Sequence, residues 1–231
     1  QERWGNSIPE TYCVPAVAPY LRGLMSEASM SNYDDALRGY TQAAALLPEA
    51  TFLQADMERA AHGVHSPQGH GVVAVIAMVG RGPYKIEVEE IASQEALLIA
   101  DRIVSAVGQY SVPPTLAPIK IPQIVSPAKP FDLVGVEVDG RPISTTLPIT
   151  DVHRLASETF AAKLPEVMAR TVARRVVKKG AVYAAKDQMN LNSSLTSLAM
   201  DAAGVLWEAT ESADTRCWGL LPREIQVLRL E

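Results

Sequence analysis

Three histidines, His62, His65 and His70, stand within one short segment, and imidazoles so crowded could bind a divalent metal. Their spacing is irregular, no cysteine stands near them and the segment is rich in breakers, so it reads as an exposed polar loop. Gly80-Arg81-Gly82-Pro83 follows a strand-like run, as a phosphate loop would, yet no Lys-Ser/Thr pair comes after it and Pro83 removes a backbone donor. The reading there is a tight turn. Cys217 has no histidine near it in sequence to activate a thiolate, and no Gly-x-Ser-x-Gly elbow occurs. Glu87, Glu89 and Glu90 belong to an alternating strand edge, where charge guards against edge-to-edge pairing. No catalytic, metal or cofactor set emerges, and the expectation is a binding or assembly component that is not an enzyme.

Recognition has better candidates. Arg170, Arg174, Arg175, Lys178 and Lys179 crowd one stretch of a predicted helix in a chain whose formal net charge is -5. Such a basic face is either solvated or a patch for anionic lipid head groups or an acidic neighbour. The overall acidic balance argues against nucleic acid as the main partner, because duplex binding draws most of its affinity from clustered cations on phosphates. Trp218 stands at a junction between a helix stripe and the last strand. Its expected role is to anchor strand to helix, with an exposed interface role as the alternative. Cys13 and Cys217 lie near opposite ends of the chain, and they either bridge in an oxidising compartment or remain two buried thiols.

The elements that must carry these residues are read from periodicity. Ala18 to Pro48 reads as two short helices around a turn at Ser31-Asn32-Tyr33. Ala36, Tyr40, Ala43 and Pro48 fall at the spacing of the second helix of a tetratricopeptide repeat, while Glu27 stands where the first helix usually carries an aromatic. Pro48 to Ala61 predicts a third helix with Phe52, Leu53, Ala55, Met57 and Ala60 inward. One repeat cannot bury its own faces, so this start must dock on the C-terminal helices or on another subunit. The breaker-rich stretch 63–71 divides it from the rest of the chain, giving a helical segment 1–62 and an α+β domain 71–231.

Gly71 to Val79 is a continuous apolar run, the mark of a strand buried on both faces, and Tyr84 to Val88 is a second strand. Ala92 to Val107 has helical spacing. Gln109 to Pro130 holds six prolines, which favours an extended segment on the surface or along a sheet edge. Phe131 to Val138 and Arg141 to Leu147 form a hairpin around Asp139-Gly140. Thr150 with Asp151 caps the next helix, and Glu158 begins a long helical tract that pauses at Leu164-Pro165 and resumes to about Met189. Leu195 to Ala209 predicts a further helix, and Glu224 to Leu230 a closing strand that joins the sheet. The fold class is α+β, a short N-terminal helical repeat-like segment followed by a small mixed sheet packed with long helices. No apolar run approaches the length of a membrane-spanning helix.

Asp214-Thr215-Arg216-Cys217-Trp218 and Leu221-Pro222-Arg223-Glu224-Ile225-Gln226, with the repeat-like start, resemble an uncharacterised family of bacterial envelope lipoproteins. In that family tetratricopeptide-like helices precede a C-terminal domain with a comparable signature. The resemblance implies a periplasmic location with outer-membrane association, other envelope proteins as partners and no known reaction. The lipidated N-terminal cysteine of such a lipoprotein is absent from the sequence, and Cys13 lacks the apolar signal that precedes a lipidation site.

Overall fold

The computed structural model describes residues 14–29, 32–107, 118–188 and 212–231, with 179–188 as backbone only. Its first helices are α1 (Val17–Ala28) and α2 (Tyr33–Leu46). Asn32 donates to the Asp35 carboxylate across the first turn of α2, where Asp34 and Asp35 complement the helix dipole. Two glycines let the helices cross closely. A Cβ on Gly39 would lie 2.7 Å from both the Gly23 nitrogen and the Pro19 carbonyl, and one on Gly23 would lie 2.7 Å from the Tyr40 ring.

Gly39→Ala is therefore expected to destabilise the protein. The added methyl meets backbone, which cannot rotate away, and overpacking of that kind costs up to about 3 kcal/mol against about 1 kcal/mol gained in helix propensity. Urea denaturation should show a net loss of about 2 kcal/mol, and an unchanged or raised stability would refute the close crossing.

The third helix, α3 (Phe52–Ala61), buries Leu53, Asp56 and Ala60. Ala55, expected inside, is exposed, and the buried position beside it belongs to a carboxylate. Tyr20, Ala36, Tyr40, Ala43, Leu53 and Ala60 form a core with Ile149 and Val227. Those last two lie on strands β6 (Leu147–Asp151) and β7 (Glu224–Leu230). The helical start thus docks on the sheet, and in particular on the C-terminal strand.

That sheet has the order β1-β7-β6, antiparallel throughout, with β1 spanning Val73–Val79. The closing strand sits at its centre, so the expectation that it joins a sheet holds. The apolar run of β1 is not buried on both faces. It is an edge strand, with Val73, Ile76 and Met78 exposed, because it pairs with β7 alone among the described residues. A separate hairpin joins β4 (Gly135–Val138) to β5 (Arg141–Thr145) through Asp139 at φ 53 and Gly140 at φ 74, the positive pair that a tight hairpin turn requires.

The chain divides into two compact units. One takes in the residues up to Pro83, Ser126–Thr159 and Trp218–Glu231; the other takes in Tyr84–Val125 and Phe160–Cys217. The linear division at 63–71 is not the division of the fold. Antiparallel pairing of β1 with β7 returns the end of the chain to its helical start, and a sequence cut there separates residues that share one core.

In the second unit β2 (Tyr84–Glu90) pairs with β3 (Ile119–Val125), which lies inside the proline-rich stretch. Pro122 is accommodated because a two-stranded sheet has only edges, yet Ile119 and Ile121 are fully buried. Ala96, Ala100 and Val104 of α4 (Gln94–Val107) are fully buried, and the first two share a core with Met168, Ala169 and Val172 of α5 (Val152–Gln188). The expected pause at Leu164-Pro165 does not occur. Helix α5 runs through Pro165, starts six residues before Glu158, and has Asp151 accepting the Arg154 backbone N–H at 2.9 Å as its cap. Thr150 caps a different helix, accepting the backbone N–H of Val17 at 3.1 Å. The architecture is α+β, its strands arranged in small antiparallel sheets. The predicted helix 195–209, and Gln109–Ala117 of the proline-rich stretch, lie outside the described residues.

Candidate functional site

The densest chemistry among the described residues gathers on one buried carboxylate of α1. Glu27, 1% exposed, accepts hydrogen bonds from Tyr40 at 2.5 Å, from Nε and Nη2 of Arg59 at 2.9 Å each, and from Arg229 at 2.9 Å. Nδ1 of His65 lies 3.1 Å from it. Asp56 holds the remaining Arg59 nitrogen at 2.8 Å, and Arg229 also bonds Glu231 and the carbonyl of His65. Each partner comes from a different element, α2, α3, the loop after α3 and β7. The position that departs from an aromatic in the repeat-like pattern is thus the charged centre of the unit.

Burial would push the Glu27 carboxyl up, but hydrogen bonds from Arg59 and Tyr40 and the charges of Arg59 and Arg229 prevail and hold it at about 2. Asp56 is shifted the other way, raised by burial against the pull of Arg59. Burial raises Tyr20 and Tyr40, Tyr40 further because it donates to the Glu27 carboxylate. The Glu27 carboxylate draws its donors from α2, α3 and β7, so the arrangement clamps three helices to a strand.

The predicted histidine cluster is scattered. His62 bonds the carbonyl of Glu58 and His65 meets Glu27, while the carbonyl of His70 accepts from Ser66. Among the described residues no group of His, Cys, Asp or Glu could hold a metal ion. Gly80-Arg81-Gly82-Pro83 forms a turn in which Gly82 donates to the Leu221 carbonyl at 2.7 Å. Glu87 receives Lys120 across the β2–β3 pair at 3.1 Å and the Ala213 N–H at 2.7 Å. Asp214 and Arg216 form an exposed two-point ion pair, each contact 2.8 Å. One hydroxyl–imidazole pair has no motif to announce it, Ser126 Oγ lying 2.7 Å from His153 Nδ1. Among the described residues no carboxylate orients that imidazole, which leaves the pair without the third member of a nucleophile triad.

The basic stretch of α5 is not one face. Arg170 and Arg174 are exposed, and Arg170 lies 3.5 Å from Glu166 one turn back. Arg175 is buried and donates to the Pro118 carbonyl at 3.1 Å, because three residues separate it from Val172 and the two share the inward side. Lys178 is half-buried, and the Lys179 side chain lies outside those described. Cys217 is an exposed free thiol, and Cys13 lies outside the described residues.

Trp218 overturns the expected anchor. It is 79% exposed, and Leu220, two residues on, is fully exposed. The two ride a tight turn fixed by backbone hydrogen bonds from Leu221 to Trp218, from Gly82 to Leu221, and from Arg223 to Val79. An ordered turn that offers an indole and a leucine to solvent has the composition of a contact surface.

Comparison with family models, characterised proteins and solved structures gives no match.

The same unit contains a cleft of about 610 Å³ lined by Leu46, Leu47, Phe52, Ile149 and Leu155, with Arg154 and Glu158 among its charged groups. That volume and mixture suit a small ligand. No helix among the described residues is long and apolar enough to cross a membrane.

Proposed function

We propose that this chain is a non-catalytic assembly or scaffold component of a bacterial cell-envelope complex, on the periplasmic side and associated with the outer membrane. The observation that carries the assembly reading is the Trp218–Leu221 turn, whose apolar side chains are held in solvent by a fixed backbone. An indole and a leucine so presented recover their hydrophobic free energy when a partner covers them. The envelope setting rests on the resemblance of the C-terminal signature. Arg170 and Arg174 remain available to an anionic lipid surface as a secondary contact.

The double substitution Trp218→Ala with Leu220→Ala tests this. The variant is expected to keep its thermal stability, since exposed side chains contribute within about 0.5 kcal/mol, while losing the envelope proteins that co-purify with the native chain. Unchanged co-purification, or a native chain that purifies alone, would refute the assembly reading. The cleft beside α3 favours a second reading, a small-ligand or envelope-polymer binding module. A native preparation carrying a bound small molecule by mass spectrometry would support it.

A further inference from the structure

Among the described residues, strand edges are guarded, with one exception. Strand β2 carries Lys85, Glu87, Glu89 and Glu90; β3 carries Lys120 and Pro122. Strand β4 has Glu137, β5 has Arg141, Pro142 and a bulge, and β6 has Pro148, Asp151 and a bulge. Charge, proline and bulges are the devices that stop an edge from pairing with another chain. Strand β1 reads Val-Ala-Val-Ile-Ala-Met-Val, has none of them, and forms the end of its sheet. Seven uncharged residues, four of them β-branched, then offer N–H and C=O groups that are unpaired among the described residues, beside exposed Val73, Ile76 and Met78.

We propose that β1 pairs antiparallel with the β1 strand of a second copy of this chain, joining two three-stranded sheets across a two-fold axis at Ile76. The sequence is self-complementary in that register. Ile76 faces Ile76, Val75 faces Ala77, Ala74 faces Met78 and Val73 faces Val79, so small residues meet larger ones on both sides of the axis. The nearest cation, Arg81, falls at opposite ends of the pair and opposes Gly71, so like charges do not meet. An isologous contact of this kind closes on itself and leaves no further β1 edge to grow a fibre.

Sedimentation velocity of the full chain from about 1 to 100 μM should show a monomer–dimer equilibrium. Ile76→Lys and Ile76→Glu each set like charges against one another on the axis and should weaken self-association at least about tenfold, with far-UV circular dichroism unchanged. Mixing the two variants sets lysine against glutamate and should restore the dimer, a rescue that general damage to the fold would not give. A wild-type chain monomeric over that range, dimers that persist in both variants, or a mixture that stays monomeric would overturn the proposal. The assembly reading is separable, since a monomeric wild-type chain that still carries envelope partners lost in the Trp218 and Leu220 variant would sink the self-pairing alone.

Discussion

Glu27→Ala should lower the free energy of unfolding by about 3–5 kcal/mol, the cost of removing one member of a buried ionic group. The carboxylate is 1% exposed and bonds two guanidinium groups and a phenol, so its loss strands partners that water cannot reach. Arg59 keeps Asp56 and Arg229 keeps Glu231, which softens the effect on each cation. Against that, Nε of Arg229 is already buried without a hydrogen bond among the described residues. Glu27→Gln retains an acceptor but not the charge and should fall between wild type and alanine. Urea denaturation of the three proteins gives the ranking, and a loss below about 1 kcal/mol for the alanine variant would mean that the group is worth no more than a surface pair.

Acidification should remove about 3 kcal/mol of stability through the same residue, following the gap between an ordinary Glu27 value of 4.5 and the folded value of about 2. Because the folded value is the lower one, the unfolded chain binds more protons between them. The contribution is complete above pH 4.5 and is lost as pH falls towards 2. Asp56 acts with the opposite sign, since its raised value favours the protonated form in the fold, and it offsets part of that loss. Thermal unfolding of wild type and Glu27→Gln should be followed from neutral pH to pH 2. The wild-type curve should drop more steeply, and parallel curves would exclude Glu27 as the acid-sensitive group.

Much of the secondary structure was legible from local rules. The helix pair before Pro48, the Asp139-Gly140 hairpin, the helix ending at Val107 and the closing strand each rest on short-range signals, and each is found within a few residues of its expected place. The helix across Pro165 was misread because a proline weighs heavily in a local reading. Burial of Met168, Ala169 and Val172 beyond it outweighs the lost hydrogen bond.

The charged centre and the contact surfaces were not legible, and the reasons differ. Glu27, Arg59 and Arg229 lie 32 and 202 residues apart along the chain from the first to each of the others, and no motif joins positions so distant. Trp218 was placed inside on its residue type, although only the route of the chain decides whether a turn faces core or solvent. Arg175 was grouped with its neighbours by charge, whereas helical phase set it beside Val172. By itself the sequence determined an α+β chain with a short helical start and a terminal strand, because propensity, capping and turn chemistry act over a few residues. The tertiary structure decided that this strand is the centre of its sheet, that the helical start closes on it through Glu27, and that β1 is left at an edge. Those outcomes depend on pairing between residues far apart in the chain, which local periodicity does not encode.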